Sequence, residues 1–193
     1  TNIYILDQDK MKIMVFDFNG NFEKNINISD YWANSIYVKN ETIFLSNNNS
    51  DTKYGKYRIF EIDINGNLIN KYLPFQKRYR FSSDRSFSVM TRTSNTLFCN
   101  APINYIYNVT EEGVNPTYLI DFGKNNLLKE YSYMSMRDFF AQGLYSKYVY
   151  GIDEIYHTAK YIFIKYNFNK DTYTAVYNKS NKRVEMNYQN LII

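Results

Sequence analysis

The sequence predicts an all-β protein made of four-stranded antiparallel units that repeat along the chain. One turn sequence occurs twice in almost identical form, as FDFNGN at 16–21 and as IDINGN at 62–67. Short apolar and aromatic runs alternate with turn residues throughout, which is typical of antiparallel strands joined by hairpins. Aromatic residues make up 19% of the chain, and most of them are Tyr, a residue that favours strands.

The first two units are defined by their Asn-Gly turns. A type I′ turn needs positive φ at both central residues, so Asn19-Gly20 and Asn65-Gly66 each predict a tight hairpin. The expected strands are 2–8, 12–18 and 21–26 in the first unit, and 34–40, 42–45 and the segments on either side of the turn in the second. In this alignment Ile3–Leu6 corresponds to Thr42–Leu45.

Two weaker copies of the unit follow. The third is expected at 87–92, 96–101, 104–110 and 116–122, and the fourth at 149–157, 160–168, 173–179 and 183–188. Between them, segment 125–144 interrupts the pattern with a loose helical period and a Gly that could end a helix. It is interpreted as an insertion with one short helix.

Four-strand units that recur every 40–50 residues or so indicate the blades of a β-propeller. The expected blades are 1–27, 34–73, 86–122 and 149–188, forming one domain. The first lacks an innermost strand, so we expect about four blades of a six-bladed ring, with open edges that invite self-association. A different all-β repeat, or two stacked sandwiches, is the alternative.

Composition excludes some classes of function. The net charge is only +4 and the basic residues are scattered, so nucleic-acid binding is not expected. No stretch approaches the roughly 18 apolar residues of a membrane span. The single cysteine, Cys99, lies in an apolar run and is expected to be buried. Since the chain opens at Thr1, we expect a processed form or a piece of something longer.

Several segments resemble a known family. NIYILDQDKMKIMVFDFNGNFEKNI at 2–26 resembles an NHL-type blade, and INKYLPF, INYIYNVTEEGVNPTYLIDFGKNNL and YIFIKYNFNKDTYTAVYNK look like the six-bladed, TolB-like β-propellers of Bacteroides-type bacteria. The resemblance implies an exported protein, often a lipoprotein, at the periplasm or cell surface, with a binding or scaffold role.

No catalytic arrangement is visible. The only histidine, His157, is expected at a strand end or in a loop rather than as a metal ligand. Asp17 and Asp63 recur at the same place in each repeat, which indicates a structural role in the turns. We expect no cofactor. A central Ca²⁺, as in lactonase-like propellers, is the lesser alternative, because 7–10 and 47–51 lack the spacing of a Ca²⁺ loop.

The candidate binding surface is formed by loops that lead from one blade to the next, at 27–34, 74–84 and 123–147. Loops on a rigid scaffold are where binding residues are usually found, and Trp, Tyr and Arg dominate recognition surfaces. The alternative is that these rings pack between blades. The predicted rim consists of Tyr31, Trp32, Arg78, Tyr79, Arg80, Tyr131, Tyr133 and Arg137.

The sequence therefore predicts a non-catalytic β-propeller module of the bacterial envelope that binds a protein, peptide or glycan. The competing hypothesis is a propeller hydrolase or lyase whose catalytic or metal-binding residues lie in blades outside this sequence.

Overall fold

The computed structural model describes residues 2–47, 56–75, 87–88, 96–99, 105–110, 112–131 and 134–189. The chain divides into two compact units, Thr1–Arg78 and Tyr79–Ile193. Each unit contains two antiparallel sheets. Within the described residues, no helix is long and apolar enough to cross a membrane.

Unit 1 contains sheets 1 and 2. Sheet 1 has three strands in the order β1-β2-β3, and sheet 2 has four in the order β4-β5-β6-β7. The strands are β1 (Ile3–Asp7), β2 (Lys12–Phe16), β3 (Phe22–Asn27), β4 (Ser35–Lys39), β5 (Thr42–Ser46), β6 (Tyr57–Asp63) and β7 (Leu68–Pro74).

The first Asn-Gly turn joins β2 to β3, as predicted, but neither Asn-Gly turn is of type I′, because the glycine and not the asparagine has a positive φ. Asp17 Oδ1 accepts hydrogen bonds from the backbone N–H groups of Asn19 (2.9 Å) and Asn21 (2.8 Å), and its Oδ2 accepts one from Asn21 Nδ2 (2.8 Å). Gly20 has φ +84°, a conformation that L-residues rarely adopt. The structural role expected for the aspartate is confirmed.

The second turn, between β6 and β7, repeats this geometry. Asp63 Oδ1 accepts from the backbone N–H groups of Asn65 (2.8 Å) and Asn67 (2.9 Å), Oδ2 accepts from Asn67 Nδ2 (2.8 Å), and Gly66 has φ +89°. The hydrogen bonds that Asn67 donates are the largest cause that lowers the pKa of the Asp63 carboxyl. The repeated sequence is therefore a repeated carboxylate-capped hairpin.

The pairing of β1 corrects the alignment of the first two sheets by one residue. Ile3 pairs with Phe16 and Ile43 pairs with Ile62, and each of these partners stands directly before the aspartate of its turn. Ile3 therefore corresponds to Ile43, not to Thr42. A shift of one residue exchanges the two faces of a strand, so the corrected register decides which side chains enter the core.

The core of unit 1 lies between sheets 1 and 2. Alternate residues of each strand point into it, because successive side chains of a strand lie on opposite faces. The fully buried members are Ile13, Val15, Ile26, Ile28, Ala33, Ile43, Leu45, Phe60 and Ile62. The opposite face of sheet 1 carries the exposed side chains of Ile3, Ile5 and Phe22.

Unit 2 contains sheets 3 and 4, in the orders β11-β10-β9-β8 and β12-β13-β14-β15. The strands are β8 (Phe87–Ser88), β9 (Thr96–Phe98), β10 (Tyr105–Thr110), β11 (Gly113–Leu119), β12 (Gly151–His157), β13 (Tyr161–Phe168), β14 (Asp171–Asn178) and β15 (Arg183–Gln189). Their shared core includes Leu97, Ile106, Ile152 and Ile162, and Cys99 is buried in it as expected.

Strand β11 starts three residues earlier than predicted. Thr110 and Gly113 pair across a tight turn, in which Thr110 Oγ1 accepts a hydrogen bond from the N–H of Glu112 (3.2 Å). Pro116 therefore lies inside the strand and not at its beginning. Because β11 is an edge strand, the missing N–H of this proline breaks no ladder on its outer side.

The insertion before sheet 4 folds around its own aromatic side chains. It contains 3₁₀ turns at Gly123–Asn125 and Leu144–Ser146 and a helix, α1 (Met136–Ala141), that is capped by the Ser135 hydroxyl and followed by Gly143 at φ +69°. Phe139 is fully buried there, with ring centroids 5.7 Å from Tyr150 and 6.1 Å from Phe140.

Consecutive antiparallel sheets that each hold strands in chain order are the arrangement of propeller blades. Three sheets are four-stranded and one is three-stranded. The predicted fold class, an all-β protein built from four-stranded antiparallel blades, is confirmed.

Candidate functional site

A candidate site in the described residues is an open groove in unit 1. Its volume is about 570 Å³, within the range of roughly 300–1,000 Å³ typical of ligand sites. Its walls are β1 with the turn that follows, and the start of β4. The lining residues are Leu6, Asp7, Gln8, Asp9, Met14, Asn34, Ser35 and Ile36.

The loop 28–34 forms one border of the groove, and two strands hold it in place. Gln8 Nε2 donates hydrogen bonds to the carbonyl oxygens of Ala33 (3.3 Å) and Asn34 (2.8 Å). The N–H of Asn34 donates to the carbonyl of Ser46 at 2.8 Å. Ala33 is almost completely buried, so the loop is anchored on both sides and presents a fixed shape.

The chemistry of the groove is mixed. Leu6, Met14 and Ile36 offer apolar surface, and Asp7 and Asp9 bring two carboxylates to one end. Asp7 Oδ1 already accepts a hydrogen bond from the N–H of Lys10 at 3.1 Å, whereas Asp9 is exposed. This combination suits a ligand with an apolar body and a positively charged or hydrogen-bond-donating end.

The structure separates the two aromatic residues of the loop that were predicted to share a rim. The Tyr31 ring is partly buried and packs on Phe60 against the core of unit 1, with 5.3 Å between ring centroids. Burial, more than the carboxylates of Asp30 and Asp63, raises the pKa of Tyr31. Trp32 is 39% exposed and stands two residues from Asn34 at the groove.

In unit 2, the predicted rim residues are also in different environments. Tyr131 is half-buried, and its ring centroid lies 5.4 Å from that of Tyr148 within the aromatic cluster of the insertion. Arg137 is exposed in the first turn of α1. Tyr131 therefore packs within the insertion itself, which is neither the predicted rim nor the packing between blades given as the alternative.

The remaining rim residues, Arg78, Tyr79, Arg80 and Tyr133, lie outside the described residues. The shared rim stays a prediction. Among the residues that the structure places, Trp32 and Arg137 have the exposure that binding requires.

His157 is the last residue of β12, and the expectation of a strand-end position is confirmed. Its Nδ1 lies 3.0 Å from Lys179 Nζ, which also donates to the carbonyl of Thr158 at 2.7 Å. Burial first, and then the Lys179 charge, lowers the pKa of His157 to about 4. In the part of the chain that the structure describes, no group of three or more His, Cys, Asp or Glu side chains is arranged to hold a metal ion.

Sequence reasoning missed the groove itself. Gln8 and Asn34 look like ordinary loop residues, and the segment 7–10 was considered only as a calcium loop. The sequence does predict that sheet 1 lacks the strand that β4 supplies in sheet 2, but no residue pattern in the sequence indicates a groove there.

Solved structures of similar shape agree with this architecture. A protein of Bacteroides fragilis NCTC 9343 described as exported has a TM-score of 0.76 and 15% identity, with 97% of this chain and 55% of that chain covered. Streptogramin B lyase has a TM-score of 0.53 and 12% identity, with 97% and 50% covered. Apo AztD from Citrobacter koseri has a TM-score of 0.50 and 9% identity, with 93% and 43% covered.

At these identities the likeness shows the fold alone, which is β-propeller-like. This chain spans about half the length of each of the three proteins. No curated protein matches it significantly. The model of a family described as a domain of unknown function, DUF4934, matches residues 1–193, so the chain belongs to the DUF4934 family.

Proposed function

We propose that this chain is a non-catalytic binding module of an exported protein and that it binds a protein, peptide or glycan partner at the groove of unit 1. The observation that carries the proposal is the open groove, which combines apolar and carboxylate-bearing walls, while the exposed Trp32 precedes the lining residue Asn34 by two positions in the loop. Aromatic residues with polar neighbours on a rigid scaffold are typical of recognition surfaces. The proposal includes no cofactor.

The same proposal includes three further features. They are a location in the periplasm or at the cell surface, anchoring as a lipoprotein, and a six-bladed NHL-like or TolB-like ring. Its supports are the blade-like sequence segments at 2–26 and 62–72 and the likeness in shape to a Bacteroides protein described as exported.

Tryptophan fluorescence tests the binding role. Trp32 is the only tryptophan of the chain, so any ligand-induced change in tryptophan emission reports on this loop. We expect one class in a panel of envelope oligosaccharides and extended peptides to shift the emission saturably. Asp9→Asn should weaken that binding, and Met136→Ala, at an exposed position of α1 in unit 2, should leave it unchanged. Absence of saturable binding by any of these probes counts against the proposal.

The second candidate is a propeller hydrolase or lyase, which the likeness in shape to streptogramin B lyase favours. Incubation with chromogenic ester and lactone substrates separates the two candidates. Turnover that persists through purification and is lost on substitution of groove residues would favour the enzyme.

A further inference from the structure

Lys179 directly follows β14, and its amine is held between two neutral acceptors. Its Nζ lies 3.0 Å from His157 Nδ1 and donates a hydrogen bond to the carbonyl of Thr158 at 2.7 Å. The backbone fixes this position as well, because the N–H of Lys179 donates to the carbonyl of Lys160 at 2.8 Å. Lys179, His157 and the Thr158 carbonyl thus form one amine cluster, which joins the ends of β12 and β14.

The amine cluster lies at the border of the core that sheets 3 and 4 share. His157 follows the buried Ile155 on the same face of β12, because residues two apart in a strand share a face. Tyr177, two residues before Lys179, has its ring centroid 5.9 Å from that of Tyr118 in β11. The partial burial of the cluster therefore comes from sheets 3 and 4 themselves.

The imidazole of His157 accepts the hydrogen bond from the lysine. An ammonium group has donors only, so its contact with Nδ1 requires that Nδ1 carries no proton. The proton of the neutral ring is then on Nε2, a buried atom without a hydrogen-bond partner. Burial, and then the Lys179 charge, lowers the pKa of His157 to about 4, so the ring is neutral at neutral pH.

These contacts suit a neutral amine better than an ammonium ion. A neutral amine has two N–H donors and one lone pair, and its two donors match the two acceptors of the cluster. Among the described residues no carboxylate pairs with Lys179, and burial lowers the pKa of its ammonium group. Desolvation of this kind is a general way in which proteins make a lysine nucleophilic.

The surrounding charges favour a reactant of one sign. The two turns that hold the cluster, 157–161 and 178–183, contain Lys160, Lys182 and Arg183 and no acidic residue. All three of these cationic residues are exposed. Positive charge around a reactive group raises the local concentration of anions, so an anionic reactant is favoured.

We propose that Lys179 is a covalent modification site, at which the amine condenses with small aldehydes that carry a carboxylate. The Nζ lone pair attacks the carbonyl carbon, and a proton moves from nitrogen to oxygen to give a carbinolamine. Loss of water then leaves the imine, and addition of water reverses the reaction, so no oxidant or reductant is required. The site belongs to unit 2 and goes beyond the binding role proposed for the groove of unit 1.

Competitive labelling of the 193-residue chain with acetic anhydride tests the amine, because only neutral amines react. At about pH 7 we expect Lys179 to be acetylated at least about fivefold faster than the exposed Lys147, as measured by peptide mass spectrometry. At about pH 11 the preference should disappear, because most lysines are then neutral. Acetylation of Lys179 no faster than that of Lys147 at the lower pH overturns the proposal, and so does a preference that does not change with pH.

Two substitutions of nearly equal size test the neutral partner of the amine. His157→Asn keeps a neutral acceptor and should retain the preference within about twofold, whereas His157→Asp adds a carboxylate and should reduce it at least about fivefold, because an opposite charge stabilises the ammonium form. Equal labelling of Lys179 in the two folded variants overturns the role of the neutral acceptor. The pH profile of the unchanged chain decides the proposal even if a variant does not fold.

Trapping with sodium cyanoborohydride, which reduces the imine to a stable amine, tests the class of aldehyde. Glyoxylate carries a carboxylate and propanal does not. We expect the ratio of trapped product at Lys179 to that at Lys147 to be at least about threefold higher with glyoxylate. Equal ratios overturn the preference for a carboxylate, and acetylation of Lys179 without trapping by either aldehyde overturns the aldehyde as the reactant.

Discussion

Gly66 lies against the backbone carbonyl of Asn27, so closely that a β-carbon on Gly66 would stand 2.9 Å from that oxygen and 3.2 Å from Ile26 Cγ2. The Asn-Gly turn of sheet 2 therefore packs directly on the last residues of β3. Lys24 Nζ reinforces the contact by donating a hydrogen bond to the carbonyl of Ile64 at 3.0 Å. The Asn65-Gly66 turn, which the sequence predicts as a local hairpin, therefore also forms part of the contact between sheets 1 and 2.

The two glycines of the repeated turn provide a matched pair of substitutions. Gly20→Ala should cost about 1–2 kcal/mol of unfolding free energy, because φ is +84° but the space around the new methyl group is open. Gly66→Ala adds a collision with backbone and should cost about 2–5 kcal/mol. Urea unfolding of both variants measures the difference. Equal losses would mean that the turn of sheet 2 does not rest on β3.

The capping carboxylates predict a specific sensitivity to acid. Hydrogen bonds from Asn21 and Asn67 lower the pKa values of Asp17 and Asp63 below the ordinary value of 3.8. Because these values are depressed in the folded state, their stabilisation is present above that ordinary value and is lost as the pH falls through the folded-state pKa. We expect Asp17→Asn combined with Asp63→Asn to flatten the fall in melting temperature below about pH 4. Asp9→Asn is the control, and an unchanged acid profile in the double variant would contradict the prediction.

The hairpins were predictable because Asn-Gly between two apolar runs is a strong hairpin signal. The register of the strands and the burial of individual side chains were not predictable. The strand-to-strand correspondence slipped by one residue because the loops between the strands differ in length, and only the pairing of Ile3 with Phe16 resolves it. The identity of an aromatic residue also does not show whether its side chain is buried. Tyr31 and Trp32 are adjacent in sequence, yet Tyr31 is partly buried against the core and Trp32 is exposed.

The aromatic cluster of the insertion should be a stability element of unit 2. Phe139 is fully buried and contacts the rings of Phe140 and Tyr150. We expect Phe139→Ala to cost about 3–5 kcal/mol, as for other buried large-to-small substitutions. Met136→Ala, at an exposed position of the same helix, should be close to neutral. Thermal unfolding monitored by near-UV circular dichroism measures both, and similar effects of the two would contradict the packing.

The single histidine gives a direct probe of the end of β12. Burial and the Lys179 charge lower the pKa of His157 to about 4, below the value near 6.5 expected in an unfolded chain. The unfolded chain therefore binds the proton first, so the contribution of His157 to stability is fully present above about pH 6.5 and is lost as the pH falls towards 4. Lys179→Met should raise the pKa of His157 without restoring 6.5, because burial is the larger cause. NMR titration of the one imidazole measures this, and Lys147→Met, an exposed change of the same charge, is the control. A wild-type pKa near 6.5 would contradict both the burial of His157 and its contact with Lys179.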